Sequence, residues 1–129
     1  MRVLLIDDYQ PFLSALYNFL CKEPNIQVVG QALNGNEGLK LAAELNPDLV
    51  LVDFSMYGTN GIDVTRKLKA SKNPPRVIMV SLHTAQEYRD KALQAGADDY
   101  VVKTDIFKHL MPLIMRPSNR PVHHGDLAH

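Results

Sequence analysis

The sequence predicts an α/β fold, a doubly wound parallel sheet of five strands with five helices on its two faces. Three observations carry this. Short unbroken apolar runs recur, at Val3-Leu4-Leu5-Ile6, Leu49-Val50-Leu51-Val52, Val77-Ile78-Met79-Val80 and Tyr100-Val101-Val102. Such runs suit strands buried on both faces. Amphipathic stretches of helical period separate them, and the strand-helix alternation repeats five times. That alternation implies parallel strands joined by right-handed crossovers. Periodicity alone leaves the order of the strands open.

The first run, Val3 to Ile6, ends on Asp7-Asp8. Pro11 follows where a helix begins, a position at which its missing N–H costs nothing. Phe12, Leu16 and Leu20, with Leu13 and Tyr17 alongside, give that helix one apolar face, and Pro24 closes it. Ile26 to Leu33 alternates loosely around Val28-Val29 and stops at the turn residues Asn34-Gly35-Asn36. A helix over Glu37 to Leu45 ends at Asn46-Pro47, because the residue before proline disfavours the helical region. The run from Leu49 to Val52 stops at Asp53, and the loop Phe54 to Gly61 carries two glycines. Ile62 to Ala70 is a helix with Arg66, Lys67 and Lys69 expected on its outer side.

Asn73-Pro74-Pro75 breaks the chain before Val77 to Val80, a strand that ends on Ser81. Thr84-Ala85-Gln86-Glu87 has the form of a capping box, and Gly96 supplies a left-handed C-terminal cap. Tyr100 to Val102 is the last strand and ends on Lys103. Thr104 is expected to cap a final helix through Ile106, Phe107, Leu110 and Met111, and Pro112 to interrupt it by removing a backbone bond. Residues 1–116 form one domain on this reading, and residues 117–129 a linker or flexible tail.

Composition excludes several classes. The chain has 129 residues, 46% of them apolar and 22% charged, with 14 basic and 14 acidic side chains. A chain of this length buries a core without metals or disulfides. A balanced charge supplies no net field to recruit nucleic acid or an anionic membrane. One cysteine, Cys21, excludes an internal disulfide, fits a reducing compartment, and on its helix reads as a core or boundary residue. No apolar run approaches the roughly 20 residues of a membrane span, and the first apolar run is too short for a signal peptide. The cytoplasm is the expected location.

Chemistry concentrates at the strand ends. In a parallel sheet Asp7-Asp8, Asp53, Ser81 and Lys103 converge on one edge, where ligands of open α/β sheets bind. Clustered carboxylates repel and raise one another's pKa. A hard divalent cation with oxygen ligands, Mg²⁺ with Mn²⁺ as a substitute, answers that repulsion. Cation, lysine and hydroxyl together suit a phosphoryl group, whose transfer depends mostly on positioning and charge neutralisation.

Taken singly each residue has a plainer reading. A lone strand-end aspartate is usually a turn or cap residue, and Tyr100 a β-former. Asp98-Asp99 reads as the solvated start of the last strand, away from the site. His123, His124 and His129 in a proline-containing tail read as solvated rather than metal-binding.

In order, Asp7-Asp8, Asp53, Met56, Gly61, Ser81, Tyr100 and Lys103 resemble the receiver domain of bacterial two-component response regulators over residues 2–115. The wording from Asn25 to Gly35, with Val28-Val29-Gly30 and Asn34-Gly35, and Ala95-Gly96-Ala97 before Tyr100, is similar to receivers attached to LuxR-type helix-turn-helix domains. The resemblance implies a flavodoxin-like strand order, 2-1-3-4-5. It implies Asp53 as the phosphoacceptor, served by a sensor histidine kinase or a histidine phosphotransfer protein.

By the same resemblance Mg²⁺ is held by Asp7, Asp8, Asp53 and the main-chain carbonyl of Ser55. Lys103 and Ser81 bind phosphoryl oxygens, Ser81 and Tyr100 form the switch, and Ser55 and His83 tune the phosphorylated lifetime. Output is expected as transcription regulation, with a homodimer through the fourth helix, last strand and last helix, and no direct nucleic-acid or membrane binding by this chain. At 129 residues there is no room for an output domain, so the chain reads as a single-domain regulator or as the receiver of a longer protein.

Three departures stand out. Tyr57 replaces a usual proline, so the loop after Asp53 loses a rigid turn. Thr104 replaces a proline, so a trans bond after Lys103 is expected. Pro112 lies within the last helix, so the homodimer is expected to be weak in isolation.

Two other functions fit the fold class. A flavin or nucleotide module needs a Gly-, Ser- or Thr-rich loop after the first strand, where Asp7-Asp8-Tyr9-Gln10 is acidic. A metal-dependent phosphatase needs an Asp-x-Asp pair there, and Tyr9 occupies the second acid's place.

Overall fold

The computed structural model describes residues 1–116. The expected tail at 117–129, with His123, His124 and His129, lies outside them. Seven strands and five helices follow in order: β1 (Arg2–Ile6), α1 (Gln10–Cys21), β2 (Gln27–Ala32), α2 (Gly35–Leu45), β3 (Leu49–Asp53), β4 (Ser55–Met56), β5 (Thr59–Asn60), α3 (Gly61–Lys69), β6 (Arg76–Ser81), α4 (Gln86–Gln94), β7 (Asp99–Val102) and α5 (Ile106–Met115). A 3-10 turn, Lys103–Asp105, joins β7 to α5.

Five strands form one sheet in the order β2-β1-β3-β6-β7, and every neighbouring pair is parallel. With the short β4-β5 hairpin set aside, this is the expected 2-1-3-4-5 order of a flavodoxin-like fold. Side chains alternate across the sheet and build two cores. Val3, Leu5, Leu49, Leu51, Ile78, Val80 and Val101 pack against Leu13, Leu16 and Leu20 of α1 and Ile106, Leu110 and Ile114 of α5. Leu4, Ile6, Val50, Val52, Val77, Met79 and Tyr100 face Val64 and Leu68 of α3 and Ala92 of α4. Both faces are covered, as the continuous apolar runs require.

Several local expectations are corrected. Tyr17 is exposed, and the buried stripe of α1 is Leu13, Leu16 and Leu20. Cys21 is exposed rather than a core residue. The loop after Asp53 holds the β4-β5 hairpin, whose turn is Tyr57-Gly58 with Gly58 at φ +80°. That turn is tight without the usual proline. Thr84 does not cap α4: Ala85 occupies the cap position and no side chain bonds there. Thr104 lies inside the 3-10 turn, so it does not cap α5. Among the described residues every peptide bond is trans, including the one after Lys103. Gly96 adopts φ +108°, in the left-handed region where only glycine is unstrained.

Pro112 does not interrupt α5, which runs unbroken from Ile106 to Met115. Burial of Ile106, Leu110 and Ile114 holds the helix, and Arg76 caps its far end. The Arg76 guanidinium, on a buried side chain, donates to the carbonyls of Leu113, Ile114 and Arg116 and pairs with Asp99 at 2.9 Å. Arg116 pairs with the other Asp99 oxygen.

Asp99 opens the last strand with Asp98 just before it, as expected, but neither is solvated. Asp98 accepts from Lys69 Nζ at 2.8 Å and from the Val77 N–H at 2.8 Å. Lys69 therefore folds inward rather than lining the outer side of α3, because a largely buried carboxylate and the Pro75 carbonyl offer it partners.

Candidate functional site

Register alone assembles the candidate site at the C-terminal edge of the sheet. Ile6 pairs with Val52, so Asp7 arrives beside Asp53. Asp53 pairs with Val80, which puts Ser81 one step further along, and Ser81 pairs with Val102, which delivers Lys103. Four strands thus bring an acid, an acid, a hydroxyl and an amine to one crevice.

The loop behind Asp53 is fixed by its backbone. The Phe54 N–H donates to the Val80 carbonyl and the Gly61 N–H to the Phe54 carbonyl, both at 2.8 Å. Gly61 presses on the strand tip: a Cβ there would stand 2.2 Å from the Asp53 carbonyl oxygen. Only a residue without a side chain lets α3 start against that strand.

One carboxylate oxygen from each of Asp7, Asp8 and Asp53 lies within 4.8 Å of the others. Asp7 and Asp53 are buried and Asp8 is exposed. Backbone donors hold Asp7 and Asp8: the Tyr9 N–H donates to Asp7 Oδ1 at 2.8 Å, and the Tyr57 N–H to Asp8 Oδ2 at 2.7 Å. Lys103 Nζ stands 2.9 Å from Asp7 Oδ2 and 3.6 Å from Asp53 Oδ1. Burial, then repulsion from Asp7, pushes the Asp53 carboxyl up to about 7; Lys103 pulls it down and Asp8 adds to the rise. One ammonium does not balance three carboxylates. The donor set is all oxygen, close-spaced and short of positive charge, which fits a hard divalent cation such as Mg²⁺.

Ser55 opens the β4-β5 hairpin beside Asp53 and is exposed. Ser81 is buried, and its Oγ accepts from the His83 N–H at 3.0 Å. Tyr100 is 4% exposed, and its hydroxyl donates to the His83 carbonyl at 2.6 Å. The Tyr100 ring is thus turned inward and held there by that bond.

Two contacts escaped the sequence. Phe12 reads as part of an apolar helix face, yet its ring lies 4.5 Å from Lys103 Nζ as a cation-π partner. Phe54, His83 and Tyr88 form an aromatic cluster beside the site, with His83 stacked on Tyr88 at 4.0 Å. Neither carries a local sequence signal, because aromatic residues in a helix or after a strand ordinarily mark the core.

Residues 3–114 match the response regulator receiver domain family. The chain belongs to that family. The transcriptional regulatory protein LiaR of Bacillus subtilis is 38% identical over 104 residues, covering 81% of this chain and 49% of LiaR. The nitrate/nitrite response regulator protein NarL of Escherichia coli is 38% identical over 101 residues, covering 78% of this chain and 47% of NarL. Among solved structures, a LuxR-family two-component response regulator from Aurantimonas superposes with a TM-score of 0.83 at 28% identity, covering 88% of this chain and 81% of that one. The receiver therefore spans about half the length of the curated relatives it matches. Among its described residues no helix is long and apolar enough to cross a membrane.

Proposed function

We propose that this receiver accepts a phosphoryl group on Asp53 and passes the change to an output that regulates transcription. One observation carries the proposal: the Asp53 carboxylate, buried at the tip of the central strand, faces the Lys103 ammonium at 3.6 Å beside Asp7 and Asp8. An Asp53 oxygen attacks phosphorus in the phosphohistidine of a sensor kinase or histidine phosphotransfer protein. The P–N bond breaks as the new O–P bond forms, and the imidazole leaves. Lys103 then pairs with one phosphoryl oxygen and Ser81 donates its hydroxyl to another. Such charge-assisted hydrogen bonds are the strong ones.

Asp7, Asp8 and Asp53, with the Ser55 main-chain carbonyl, would hold Mg²⁺ or Mn²⁺, which supplies positive charge against the developing phosphoryl charge. On this reading Ser55 and His83 tune how fast water reaches the phosphorylated carboxylate. The only chemistry of the domain on this reading is its own phosphorylation and dephosphorylation.

Ser81 and Tyr100 form the switch. Their movement is read on the groove between α4, β7 and α5, lined by Arg89, Tyr100, Val102, His109, Pro112 and Leu113. A homodimer through that face belongs to the reading; the weakness expected of it rests on Pro112 breaking the last helix, and α5 runs unbroken. The name of LiaR, a transcriptional regulatory protein, supports transcription regulation, and on this reading DNA is bound by a part outside this receiver. A cytoplasmic location goes with that role. A flavin or nucleotide module is set aside because three carboxylates line the crevice its phosphates would enter.

The test is labelling with acetyl phosphate and Mg²⁺, followed by intact mass. The wild type gains one phosphoryl group, while Asp53→Asn and wild type in chelator gain none. Labelling of Asp53→Asn at the wild-type level would sink the assignment.

A further inference from the structure

The contacts that keep Tyr100 buried come from a short stretch around the start of α4 and from the residue after Asp53. The tyrosine hydroxyl donates to the His83 carbonyl at 2.6 Å, the Arg89 guanidinium lies 5.0 Å from the ring centroid, and Phe54 meets the ring edge-on at 6.4 Å. Arg89 also donates to the Tyr100 carbonyl at 3.3 Å. None of these partners is an atom of Asp53 or of a group attached to it. The His83 carbonyl is the one hydrogen-bond partner of the Tyr100 hydroxyl among these contacts, so what fixes that carbonyl helps to fix the ring.

His83 is fixed at two points. Its N–H donates to Ser81 Oγ, and its imidazole lies flat on the Tyr88 ring, with centroids 4.0 Å and planes 8° apart. Phe54 meets both rings edge-on, at 5.8 Å from His83 and 5.5 Å from Tyr88. The rest of the connection offers little hold. Leu82, Thr84 and Ala85 are exposed, and α4 has no side-chain cap at its N-terminus. Tyr88, in the first turn of α4, is thus the side chain that ties the loop to a rigid element.

We propose that Tyr88 is a positioning residue. By stacking on His83 it holds the 82–85 loop in the conformation whose His83 carbonyl accepts from Tyr100, and so sets the fraction of molecules with Tyr100 inward. The proposal rests on the reading of Asp53 and Tyr100 given above. Its consequence is a matter of population. A phosphoryl group or its mimic binds best when Ser81 and Tyr100 are already placed, and its apparent affinity scales with the fraction so placed. Loss of the stack lowers that fraction without removing any group that touches the ligand.

Tyr88→Leu, Tyr88→Phe and His83→Leu are titrated in the whole chain with beryllofluoride at saturating Mg²⁺, while NMR follows the Tyr100 ring. Tyr88→Leu is expected to raise the apparent beryllofluoride Kd about three- to tenfold, the range one aromatic stack can supply. It also moves the free-state Tyr100 ring shifts toward those of an exposed tyrosine, and leaves the Mg²⁺ Kd within about twofold. Tyr88→Phe keeps the stack and matches the wild type. His83→Leu breaks the stack from its other side and reproduces the Tyr100 shift, which keeps the test decisive should Tyr88→Leu fold poorly.

An unchanged Tyr100 ring in the leucine variants, a Mg²⁺ affinity that weakens in step with beryllofluoride, or a Tyr88→Phe variant that behaves like leucine would each overturn the assignment. A wild type that fails to bind beryllofluoride overturns the Asp53 reading itself, and the role of Tyr88 with it.

Discussion

Lys103 sits closer to Asp7 than to Asp53, 2.9 Å against 3.6 Å, so its strongest carboxylate partner is not the strand-tip acid. The ammonium bridges two acids that would otherwise face each other inside the protein. Removing one partner of a buried ion pair costs roughly 3–5 kcal/mol, here lessened because Asp53 can take up a proton. Lys103→Met in chelator is therefore expected to lose about 2–4 kcal/mol in urea unfolding, and millimolar Mg²⁺ to restore most of it. A variant as stable as the wild type without metal would show that the bridge contributes nothing.

Metal affinity should depend on pH through Asp53, whose carboxyl burial and Asp7 push up to about 7. A folded pKa above the unfolded one means that the native chain keeps a proton the unfolded chain has already released. That contribution to stability is complete below the unfolded carboxylate pKa and is lost as pH rises through about 7. A cation needs the ionised form, so it must displace this proton. The apparent Mg²⁺ Kd is expected to fall nearly tenfold per pH unit from about 5.5 to 7 and to level off above. Asp53→Asn should flatten the slope. Calorimetric titration at four pH values decides it, and a slope unchanged in that variant would assign the proton elsewhere.

Pro112 removes one helical hydrogen bond from α5 without breaking it. An interior proline costs roughly 3 kcal/mol, whereas alanine gives back under 1 kcal/mol of that through a freer unfolded chain. Pro112→Ala is expected to gain about 2–2.5 kcal/mol in urea midpoint analysis. Loss of stability would mean that the ring packs in the α4-β7-α5 groove it helps to line.

Arg76 serves Asp99 and three carbonyls at the end of α5 at once. Methionine in its place keeps the stem and leaves Asp99 with Arg116 alone. Arg76→Met should lose roughly 3–5 kcal/mol, as for a broken buried pair. The amide protons of Leu113 to Met115 should then exchange faster than those of β3. Uniform acceleration across the sheet would point instead to global unfolding.

Central strands and acidic residues were legible because each broke an expectation of its neighbourhood. Asp7 and Asp53 end runs of four apolar residues, and a charge in that place asks for a reason. Lys103 does the same after Val101-Val102. What stayed hidden depends on partners distant in the chain. Arg76 meets Asp99 at a separation of 23 residues and Lys69 meets Asp98 at 29, so Lys69, Asp98 and Asp99 read as solvated charges. Phe12 and Tyr88 were hidden differently, since an aromatic at helical spacing looks the same whether it fills the core or faces an ammonium or an imidazole. Pro112 obeyed its local rule in the sequence and was overruled by the burial of Ile106, Leu110 and Ile114.

Gly61 has a consequence for how this gene can drift. Any other amino acid brings a Cβ to 2.2 Å from the Asp53 carbonyl oxygen, and the atoms that must yield are backbone. Every missense change at that codon is therefore a displacement of the acid eight positions earlier. In a saturation library position 61 would score as intolerant as Asp53, although it holds no reactive group. Such a blank position marks where the backbone, rather than a side chain, is under selection.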